Sequence, residues 1–557
     1  MMTNMQKHKF SWIFCFGLIL CVLYVYRDLT GMTYLLWDDD LLVTENAILR
    51  LPFTQAIKAA FCGYYNGDYI PISLMSYWCE VRIAGFVPAV QHVNNLLLHS
   101  LNVFLVWAWL RRFSSLRPFL FLIVAVFAVH PLQVESVAWV SERKGLLATT
   151  FYLLALICAS KVEVKERDQL RWDVAYIVFF MLGALSKANG IFIPIWIALS
   201  TALSQRRWIP LSWPKHVIAL TVAGGFSVVR VLAYASAIPH FGSQALSPDR
   251  LLAWPLMTLA ALGFYVKMII APLDLSIIYP SFTGASDWAS QIIWGACACL
   301  FWFGSMAWLR LREALIWLLF GLLTLAPVLN LVPRINFVND RYIYLPLIGF
   351  VSCTLLILQA FWLRGQERAN RARFRNLWKS IFTAICLVFI VFCVWLSSHR
   401  AAVWSSNITM WSDTVNKAPL SSLAQNNLGQ AFQNEGNISE AIVHYQKSLD
   451  IAVDYGSTNL AYNNLATIYS SRQYPQYFNL PLARSLLESG IAVVSRPDDS
   501  LVLRFNLALV HLQAGDLLAG KQTLADLLTR LEQSPNQRYL FLVERVVQLQ
   551  KKLEAAQ

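Results

Sequence analysis

The feature that most constrains the fold is a series of apolar segments that recur from residue 10 to about residue 396 and then stop. Many approach the roughly 20 residues that a helix needs to cross the bilayer. The chain of 557 residues is also 57% hydrophobic and only 14% charged, outside the range of soluble globular proteins. The sequence therefore predicts an all-α protein: a polytopic membrane domain over residues 1–397, with about 11 crossings, and a C-terminal domain over residues 398–557.

The formal charge of +13 at pH 7 does not indicate nucleic-acid binding, because most Lys and Arg residues lie in short loops between apolar segments. By the positive-inside rule, we expect the basic loops at 111–117, 161–171, 206–215 and 364–379 to be cytoplasmic. Lys7 and Lys9 precede the first apolar segment without a small-residue cleavage site, so an uncleaved signal anchor with a cytoplasmic N-terminus is expected. The other loops and the C-terminal domain would then be non-cytoplasmic.

Residues 251–271 disturb this alternation, because a crossing there would put both ends of the chain on one side of the membrane. Lys267 within the segment is costly at the bilayer centre unless it faces a cavity. We therefore expect a re-entrant or interfacial segment.

Cysteines carry little visible chemistry, since most lie in apolar segments and the sequence has no CxxC pair or zinc-type His/Cys spacing. Cys62 and Cys79 are the exception, because they share the first long polar loop. They can form a disulfide if that loop faces an oxidising compartment.

The C-terminal domain repeats a pattern of small and large residues. The three copies are Asn427, Leu428, Gly429, Phe432, Gly436, Ala441 and Tyr445; Asn464, Leu465, Ala466, Tyr469, Ala483 and Leu487; and Asn506, Leu507, Ala508, Gly515, Gly520 and Leu524. Small residues let paired helices approach closely while large ones fill the seam, which is typical of tetratricopeptide repeats. We expect an α-solenoid of about three repeats with a capping helix at 539–553 that binds peptides or proteins. An unrelated helical bundle is the alternative.

Three consecutive carboxylates, Asp38, Asp39 and Asp40, follow the first crossing. Adjacent like charges are unfavourable unless they are solvated, bound to metal or used. Asp38 or Asp39 can act as general base toward an acceptor hydroxyl while its neighbour tunes the pKa or orients the acceptor. A solvated acidic loop is the alternative. A divalent metal is possible here, although no complete ligand set can be assigned.

Cations accompany these carboxylates on the same predicted side. The sequence predicts an amphipathic surface segment over residues 130–144, and Arg143 and Lys144 are its last two residues. They can bind a phosphate that joins a lipid to a sugar, and interfacial snorkelling is the alternative. Lys187 and Arg341 add two more cations. Four cations and a carboxylate cluster on one face favour the functional interpretation.

These residues lie in segments that carry a family resemblance over almost the whole chain. The segments are 37–40, 43–46, 92–99, 130–144, 186–187, 279–280 and 340–346, followed by the repeats. The chain resembles the bacterial relatives of the transmembrane-and-tetratricopeptide O-mannosyltransferases, which are membrane glycosyltransferases of the GT-C fold. Two positions depart from that pattern: Tyr69 precedes Ile70 and Pro71 in a loop where the family often has His before the proline, and Gly145 stands where it often has Asp.

The resemblance implies inverting transfer of a mannose-like sugar from a polyprenyl-phosphate donor to an acceptor hydroxyl, on a protein, outside the cytoplasm. Asp38 or Asp39 would be the base. The implied donor-phosphate ligands are Arg143, Lys144, Lys187 and Arg341, and the implied acceptor-binding or site-shaping residues are Asp40, His92, His130, Glu135, Glu142 and Asp340. Apart from the lipid-linked donor no cofactor is certain, and no metal ligand is assigned.

The implied location is a bacterial inner membrane with the repeats in the periplasm, where they contact a protein acceptor or partner. Two other functions remain open from the sequence. One is a membrane-anchored tetratricopeptide scaffold for envelope assembly, and the other is a lipid-linked glycan polymerase or ligase.

Overall fold

The apolar segments form helices, which satisfy their own backbone hydrogen bonds where water is absent. The structure is a computed structural model. It describes residues 4–65, 67–161, 166–203, 213–237, 248–279, 288–329, 337–369, 372–451, 455–494, 500–533 and 540–555. The chain divides into two compact units, Met1–Ser406 and Asn407–Gln557. Within the described ranges the protein is helical and has no β-strand, only an isolated bridge between Tyr65 and Asp68.

The first unit contains sixteen α-helices among its described residues. They are α1 (Asn4–Val25), α2 (Phe53–Cys62), α3 (Pro71–Ala84), α4 (Pro88–Leu110), α5 (Leu120–Val129), α6 (Val134–Ala138), α7 (Arg143–Ala159), α8 (Glu166–Ser186), α9 (Ile193–Leu203), α10 (Trp213–Ala237), α11 (Pro248–Ile270), α12 (Trp288–Cys299), α13 (Ser305–Leu309), α14 (Arg312–Leu325), α15 (Pro346–Ala369) and α16 (Ala372–Val403). The last helix runs past the expected domain boundary at residue 397.

Six helices in the described part of the chain are long and apolar enough to cross a membrane. They are Pro88–Leu110, Lys215–Leu232, Leu252–Ile270, Trp288–Leu309, Pro346–Arg364 and Lys379–Val403. A seventh arises if Arg117–Val129 and Pro131–Ala138, which meet at a bend of 50°, form one broken span. These helices make the chain a multi-pass membrane protein, while the number of about 11 crossings stays a prediction.

Residues 251–270 belong to one continuous helix, α11, which contains Pro255 and is long enough to cross the membrane. A helix without a turn is not re-entrant, so that part of the expectation is wrong. Glycines bring α11 close to α12: a Cβ on Gly263 would lie 1.9 Å from the Gln291 carbonyl oxygen, and one on Gly295 would lie 2.1 Å from the Leu259 carbonyl oxygen. Such close approach is typical of helix packing in membranes.

Aromatic side chains fill the interior between α4, α9 and α14. Trp109, Trp196 and Trp317 are fully buried, and their ring centroids lie 5.4 to 5.8 Å apart in edge-on or tilted geometry. The Trp196 indole N–H donates to the Ile316 carbonyl at 2.8 Å, which satisfies its polar group inside this core.

The long loop after α1 carries α2 and α3 on its way to α4. Cys62 ends α2, whereas Cys79 lies more than two turns into α3. Both are free and exposed thiols, so the disulfide between them does not form in this structure.

The second unit contains eight described helices, which form three successive helical hairpins flanked by single helices. They are α17 (Asn407–Lys417), α18 (Ser422–Asn434), α19 (Ile438–Ile451), α20 (Tyr455–Ser470), α21 (Leu480–Val493), α22 (Leu501–Gln513), α23 (Leu517–Gln533) and α24 (Leu540–Ala555). Leu542 and Val546 of α24 are buried in the core of the last hairpin. The hairpins follow the expected order of repeats, and their assignment as tetratricopeptide repeats stays a prediction.

Candidate active site

The acidic loop, which comprises Trp37, Asp38, Asp39 and Asp40, lies between α1 and a short helical turn that starts at Asp40. Its backbone reverses at Asp38, whose φ of 73° lies in the left-handed region that L residues rarely adopt. Strain of this kind costs on the order of 1 kcal/mol or more and persists only where the surroundings maintain it. The Asp38 carbonyl accepts a hydrogen bond from the Leu42 N–H at 2.8 Å, which helps to hold the turn.

Asp39 fixes the acidic loop to a distant part of the chain. One carboxylate oxygen accepts from the Leu35 N–H at 3.0 Å, and the other accepts from the Ser141 N–H at 2.9 Å and from the Ser141 hydroxyl. Asp39 is fully buried. Burial raises the pKa of Asp39 to about 7, although the three hydrogen bonds act in the opposite direction.

Asp38 and Asp40 are only half-buried. Among the residues that the structure describes, none makes a hydrogen bond to the Asp38 carboxylate. Burial raises the pKa of Asp40, and the nearby Glu45 carboxylate adds to that effect. Of the two candidate bases, Asp38 is therefore the one whose carboxylate is open to an acceptor. Within the described ranges, no three His, Cys, Asp or Glu side chains converge on a point that would hold a metal ion.

Residues 130–144 are not a surface segment, since every residue from His130 to Arg143 is buried. The chain bends after α5, and the His130 ring caps the bend. Its Nδ1 accepts from the Leu132 N–H at 3.3 Å, and its Nε2 lies 3.0 Å from the Ile269 carbonyl oxygen. The amphipathic surface prediction was wrong because charged and polar side chains of this segment, such as Glu135, Ser141 and Arg143, have partners inside the protein.

Arg143 is one of these buried polar residues. Its guanidinium is paired with the Glu80 carboxylate through Nη1, with Nη2 at 3.3 Å from the second oxygen. Nε donates to Asn95 Oδ1 at 3.0 Å, Nη2 also donates to the Gln91 carbonyl at 2.9 Å, and the Tyr77 ring centre lies 4.6 Å away. With its charge neutralised and its donors engaged, Arg143 joins α3, α4 and α7. This geometry favours a positioning role over contact with a phosphate.

Glu142 lies between two of the other predicted cations. One of its oxygens pairs with Lys187 Nζ, and the other lies 3.9 Å from Arg341 Nε. Arg341 also pairs with Glu135, whose second oxygen accepts from the Arg341 backbone N–H at 3.0 Å. The Tyr152 hydroxyl donates to the Lys187 carbonyl at 2.9 Å and so holds that turn. Four predicted site residues thus form one network of charges, in which the two carboxylates are buried and the two cations are mostly buried.

Gly145 leaves the space that this network needs. A Cβ at this position would lie 2.2 Å from Glu142 Oε1 and 3.5 Å from Lys187 Nζ. Where the family often has Asp, this chain has Gly145, and the Glu142 carboxylate occupies the space beside it.

Lys144 has a partner that the sequence did not indicate. Its Nζ lies 4.0 Å from Asp68 Oδ2, and Arg230 Nη1 of α10 lies 3.3 Å from Asp68 Oδ1. Burial alone would raise the pKa of Asp68, but Arg230 and Lys144 lower it below its ordinary value. Two cations therefore share one carboxylate next to the Glu142 network.

The remaining predicted residues, His92 and Asp340, are both buried. His92 lies against the backbone of Thr33, in the stretch that leads to the acidic loop. The Asp340 carboxylate accepts a hydrogen bond from the Tyr279 hydroxyl and lies 3.9 Å from Arg400 Nη2. These positions connect the site to α4 and to the end of α16.

Sequence reasoning missed several residues of the site: Asp68, Glu80, Asn95, Ser141 and Arg230. Three of them carried a usable signal. Glu80, Asn95 and Arg230 are polar or charged residues inside apolar helices, where such side chains are costly and therefore informative. Ser141 lies within residues 130–144 but was not singled out there, and nothing in the local sequence marked Asp68. The importance of both comes from contacts with residues far away in the chain.

Taken together, these features define a multi-pass membrane protein in which a strained acidic loop lies against a buried network of carboxylates and cations. No protein-family model matches the chain, but curated proteins do. The protein O-mannosyl-transferase F38B6.6 of Caenorhabditis elegans is 20% identical over 442 residues, which are 75% of this chain and 60% of that protein. TMTC3 of Mus musculus is 23% identical over 434 residues, covering 70% of this chain and 45% of its own length.

Protein O-mannosyl-transferase Tmtc3 of Drosophila melanogaster is 22% identical over 564 residues, covering 85% of this chain and 59% of its own length. The chain thus spans between 45% and 60% of the length of these relatives. Over most of its length the chain is similar to proteins named as members of the transmembrane-and-tetratricopeptide family of protein O-mannosyltransferases.

Proposed function

We propose that the protein is a membrane glycosyltransferase that moves a mannose-like sugar from a polyprenyl-phosphate donor to a hydroxyl group of a protein acceptor. The names of the relatives support the reaction class. The observation that carries the proposal is the acidic loop, in which Asp38 is strained and open while Asp39 is buried and fixed.

In the proposed reaction, the acceptor oxygen attacks the anomeric carbon of the donor sugar from the face opposite the phosphate. The hydroxyl proton moves to the Asp38 carboxylate, and the bond between the anomeric carbon and the phosphate oxygen breaks. The electron pair of that bond leaves with the polyprenyl phosphate, so the anomeric configuration is inverted. Asp39 positions the base, because its hydrogen bonds to Leu35 and Ser141 fix the loop on both sides.

The leaving phosphate is an anion, and the cations next to Ser141 would stabilise it. Lys187 and Arg341 lie in the Glu142 network, and Lys144 lies at its edge. Fixed charges of this kind lower the barrier because they need no reorganisation during the reaction. Burial lowers the pKa of Lys187 in spite of the Glu142 carboxylate, and the nearby Lys144 and Arg341 cations add to that effect.

An apolar cavity of about 300 Å³ could hold part of the lipid chain of such a donor. Its walls include Val126 of α5, Ile269 of α11 and Phe389 of α16. Trp302, which lies between α12 and α13, also contributes to the walls. The Ile269 carbonyl is the partner of His130, so the cavity adjoins the bend that leads to the buried network.

In this proposal the helical hairpins of the second unit recruit the protein acceptor or a partner protein. The site and these hairpins would face the periplasm of a bacterial inner membrane. A cytoplasmic N-terminus follows from the charge distribution of the loops.

The test is transfer of radiolabelled mannose from a polyprenyl-phosphate donor by the purified full chain in detergent. The comparison is wild type against Asp38→Asn, Asp39→Asn and the control Asp28→Asn, whose carboxylate is exposed beside Arg27. We expect Asp38→Asn to lower kcat by a factor of about 1,000 at unchanged thermal stability, since a general base contributes about 100- to 10,000-fold. Asp39→Asn should lower both activity and stability, and Asp28→Asn should change neither. Parallel reactions with EDTA or with added Mg²⁺ or Mn²⁺ test for a divalent metal.

The proposal fails if wild type transfers no sugar from a panel of lipid-linked donors to peptide acceptors, or if Asp38→Asn retains full activity. In the first case, deletion of residues 407–557 that reproduces the null phenotype in cells would favour the scaffold. Transfer of whole glycans, detected by mass spectrometry of the product, would favour the polymerase or ligase.

A further inference from the structure

Arg230 is a cation that the reaction described above does not use. It lies in α10, within the segment Lys215–Leu232 that is apolar enough to cross the membrane. A charged side chain at such a position is costly, and it is retained where it faces a partner, a cavity or a ligand. Arg230 and its neighbours therefore indicate what α10 contributes to the site.

The loop before α3 is attached to α10 at two points one helical turn apart. Arg230 Nη2 donates to the Tyr69 carbonyl at 3.0 Å, and Arg230 Nη1 lies 3.3 Å from Asp68 Oδ1. The Tyr69 ring stacks on Phe226, with centroids 6.3 Å apart and planes at 23°. The guanidinium is therefore held in a fixed orientation beside Asp68.

One donor of this guanidinium is left over. Arg230 Nε is buried, and no acceptor for it occurs among the residues that the structure describes. A buried donor without an acceptor is unfavourable by roughly 1–3 kcal/mol, more for a charged group. This cost is recovered if a ligand with acceptor oxygens binds there.

The side chains around Asp68 also carry more positive than negative charge. Arg230 and Lys144 share the single Asp68 carboxylate. Arg143, by contrast, is matched by Glu80 with both side chains buried. The cluster of Arg230, Lys144 and Asp68 therefore carries one net positive charge, which complements the single negative charge of a phosphodiester.

We propose that Arg230 and Lys144 bind the phosphate of the lipid-linked donor, with Asp68 holding the two cations in place. This inference rests on the proposed function, and it assigns the donor phosphate to α10 and the start of α7. Arg230 supplies its free Nε–H and the planar guanidinium, and Lys144 supplies a point charge on the other side of Asp68. Arg143 then acts as a positioning residue, since its donors are already occupied.

The experiment measures binding without requiring sugar transfer. Undecaprenyl phosphate, undecaprenol and inorganic phosphate are titrated into the purified full chain in detergent, and intrinsic tryptophan fluorescence reports binding. The variants are Arg230→Gln and Arg230→Lys, each checked by thermal unfolding. The control is Lys215→Gln on the same helix, about 22 Å away, where Lys215 Nζ pairs with Asp173 Oδ1 at 2.6 Å and no cation is in excess at that carboxylate among the described residues.

We expect wild type to prefer undecaprenyl phosphate over undecaprenol, and Arg230→Gln to raise the Kd for the phosphate about 10- to 100-fold. Arg230→Lys should recover part of the affinity, Lys215→Gln should bind like wild type, and undecaprenol binding should not change in any variant. Competition by inorganic phosphate would show that the head group alone is recognised.

Equal affinity of wild type for undecaprenyl phosphate and undecaprenol would overturn the proposal, and so would unchanged phosphate binding in a folded Arg230→Gln. The experiments distinguish failure of the phosphate site from failure of the proposed sugar transfer. Loss of binding in Arg230→Gln without sugar transfer by wild type keeps the phosphate site and removes the transferase. Sugar transfer by wild type together with normal binding by Arg230→Gln keeps the transferase and removes this site.

Discussion

The ion pairs of the two units differ in their surroundings. Arg143 and Glu80 of the first unit come from different helices, and their side chains are only 3% and 5% exposed. Arg484 and Glu488 of the second unit lie one turn apart on α21, and both are about half exposed, at 52% and 50%. The exposed pair interacts through water, which screens the attraction, so such pairs contribute little to stability. The buried pair requires desolvation of two ions, at several kcal/mol each, before their attraction compensates.

Two glycines, one from each unit, also have different surroundings. Gly429 of the second unit lies under the Tyr445 ring, where a Cβ would be 2.8 Å from a ring carbon. Gly145 of the first unit lies beside the Glu142 carboxylate. One glycine permits helix packing, and the other permits an ion pair. The first unit thus keeps paired charges in its interior, and we place the function there because such charges are costly to bury.

The largest effect on stability is expected for Glu80→Gln. Without the carboxylate, the Arg143 guanidinium is left as a buried charge, and loss of one partner of a buried pair typically costs about 3–5 kcal/mol. The matched change in the second unit, Glu488→Gln, should leave the unfolding free energy nearly unchanged, because that pair is solvated. Denaturant unfolding in detergent measures both. Equal effects would show that the buried pair is no more important than the surface pair.

A smaller effect, dependent on pH, is expected for Asp39. Because burial raises its folded-state pKa to about 7 from the ordinary 3.8, the folded state binds this proton more tightly than the unfolded state does. The stability that Asp39 contributes is then complete below about pH 4 and is lost as the pH rises to about 7, by at most about 4 kcal/mol.

The measurement is the difference in unfolding free energy between wild type and Asp39→Asn from pH 4 to pH 8. Wild type should lose stability relative to the variant over that range. Parallel curves would show that the hydrogen bonds from Leu35 and Ser141 outweigh burial and keep the carboxylate ionised.

The smallest of the three effects is expected for Gly145→Ala. The added methyl group must displace the Glu142 carboxylate, and overpacking of this kind typically costs about 1–3 kcal/mol. Gly224→Ala in α10 is the control, since nothing lies within 4 Å of a Cβ there. Thermal unfolding and the transfer assay should both show a loss for Gly145→Ala only. A neutral result would mean that the pair of Glu142 and Lys187 can move without consequence.

The sequence predicted the class of fold well, because apolar length and loop charge act locally. The helices at Pro88–Leu110 and Pro346–Arg364 follow directly from their apolar residues. The mixture of polar and apolar residues over 130–144 predicted a surface segment, and this was wrong because residues 130–143 are buried. The partners that allow burial, such as Asn95 for Arg143 and Asp39 for Ser141, lie in other helices and loops.

By itself, the sequence determined that this is a multi-pass helical membrane protein, that helical hairpins follow the membrane unit, and which polar residues to examine. Only the tertiary structure decided how these residues are arranged: Asp38 is open where Asp39 is fixed, Arg143 is occupied by Glu80, and Arg230 lies beside Asp68. The reason is physical. Hydrophobicity and charge are properties of each segment, whereas the partner that neutralises a buried charge is set by packing between segments far apart in the chain.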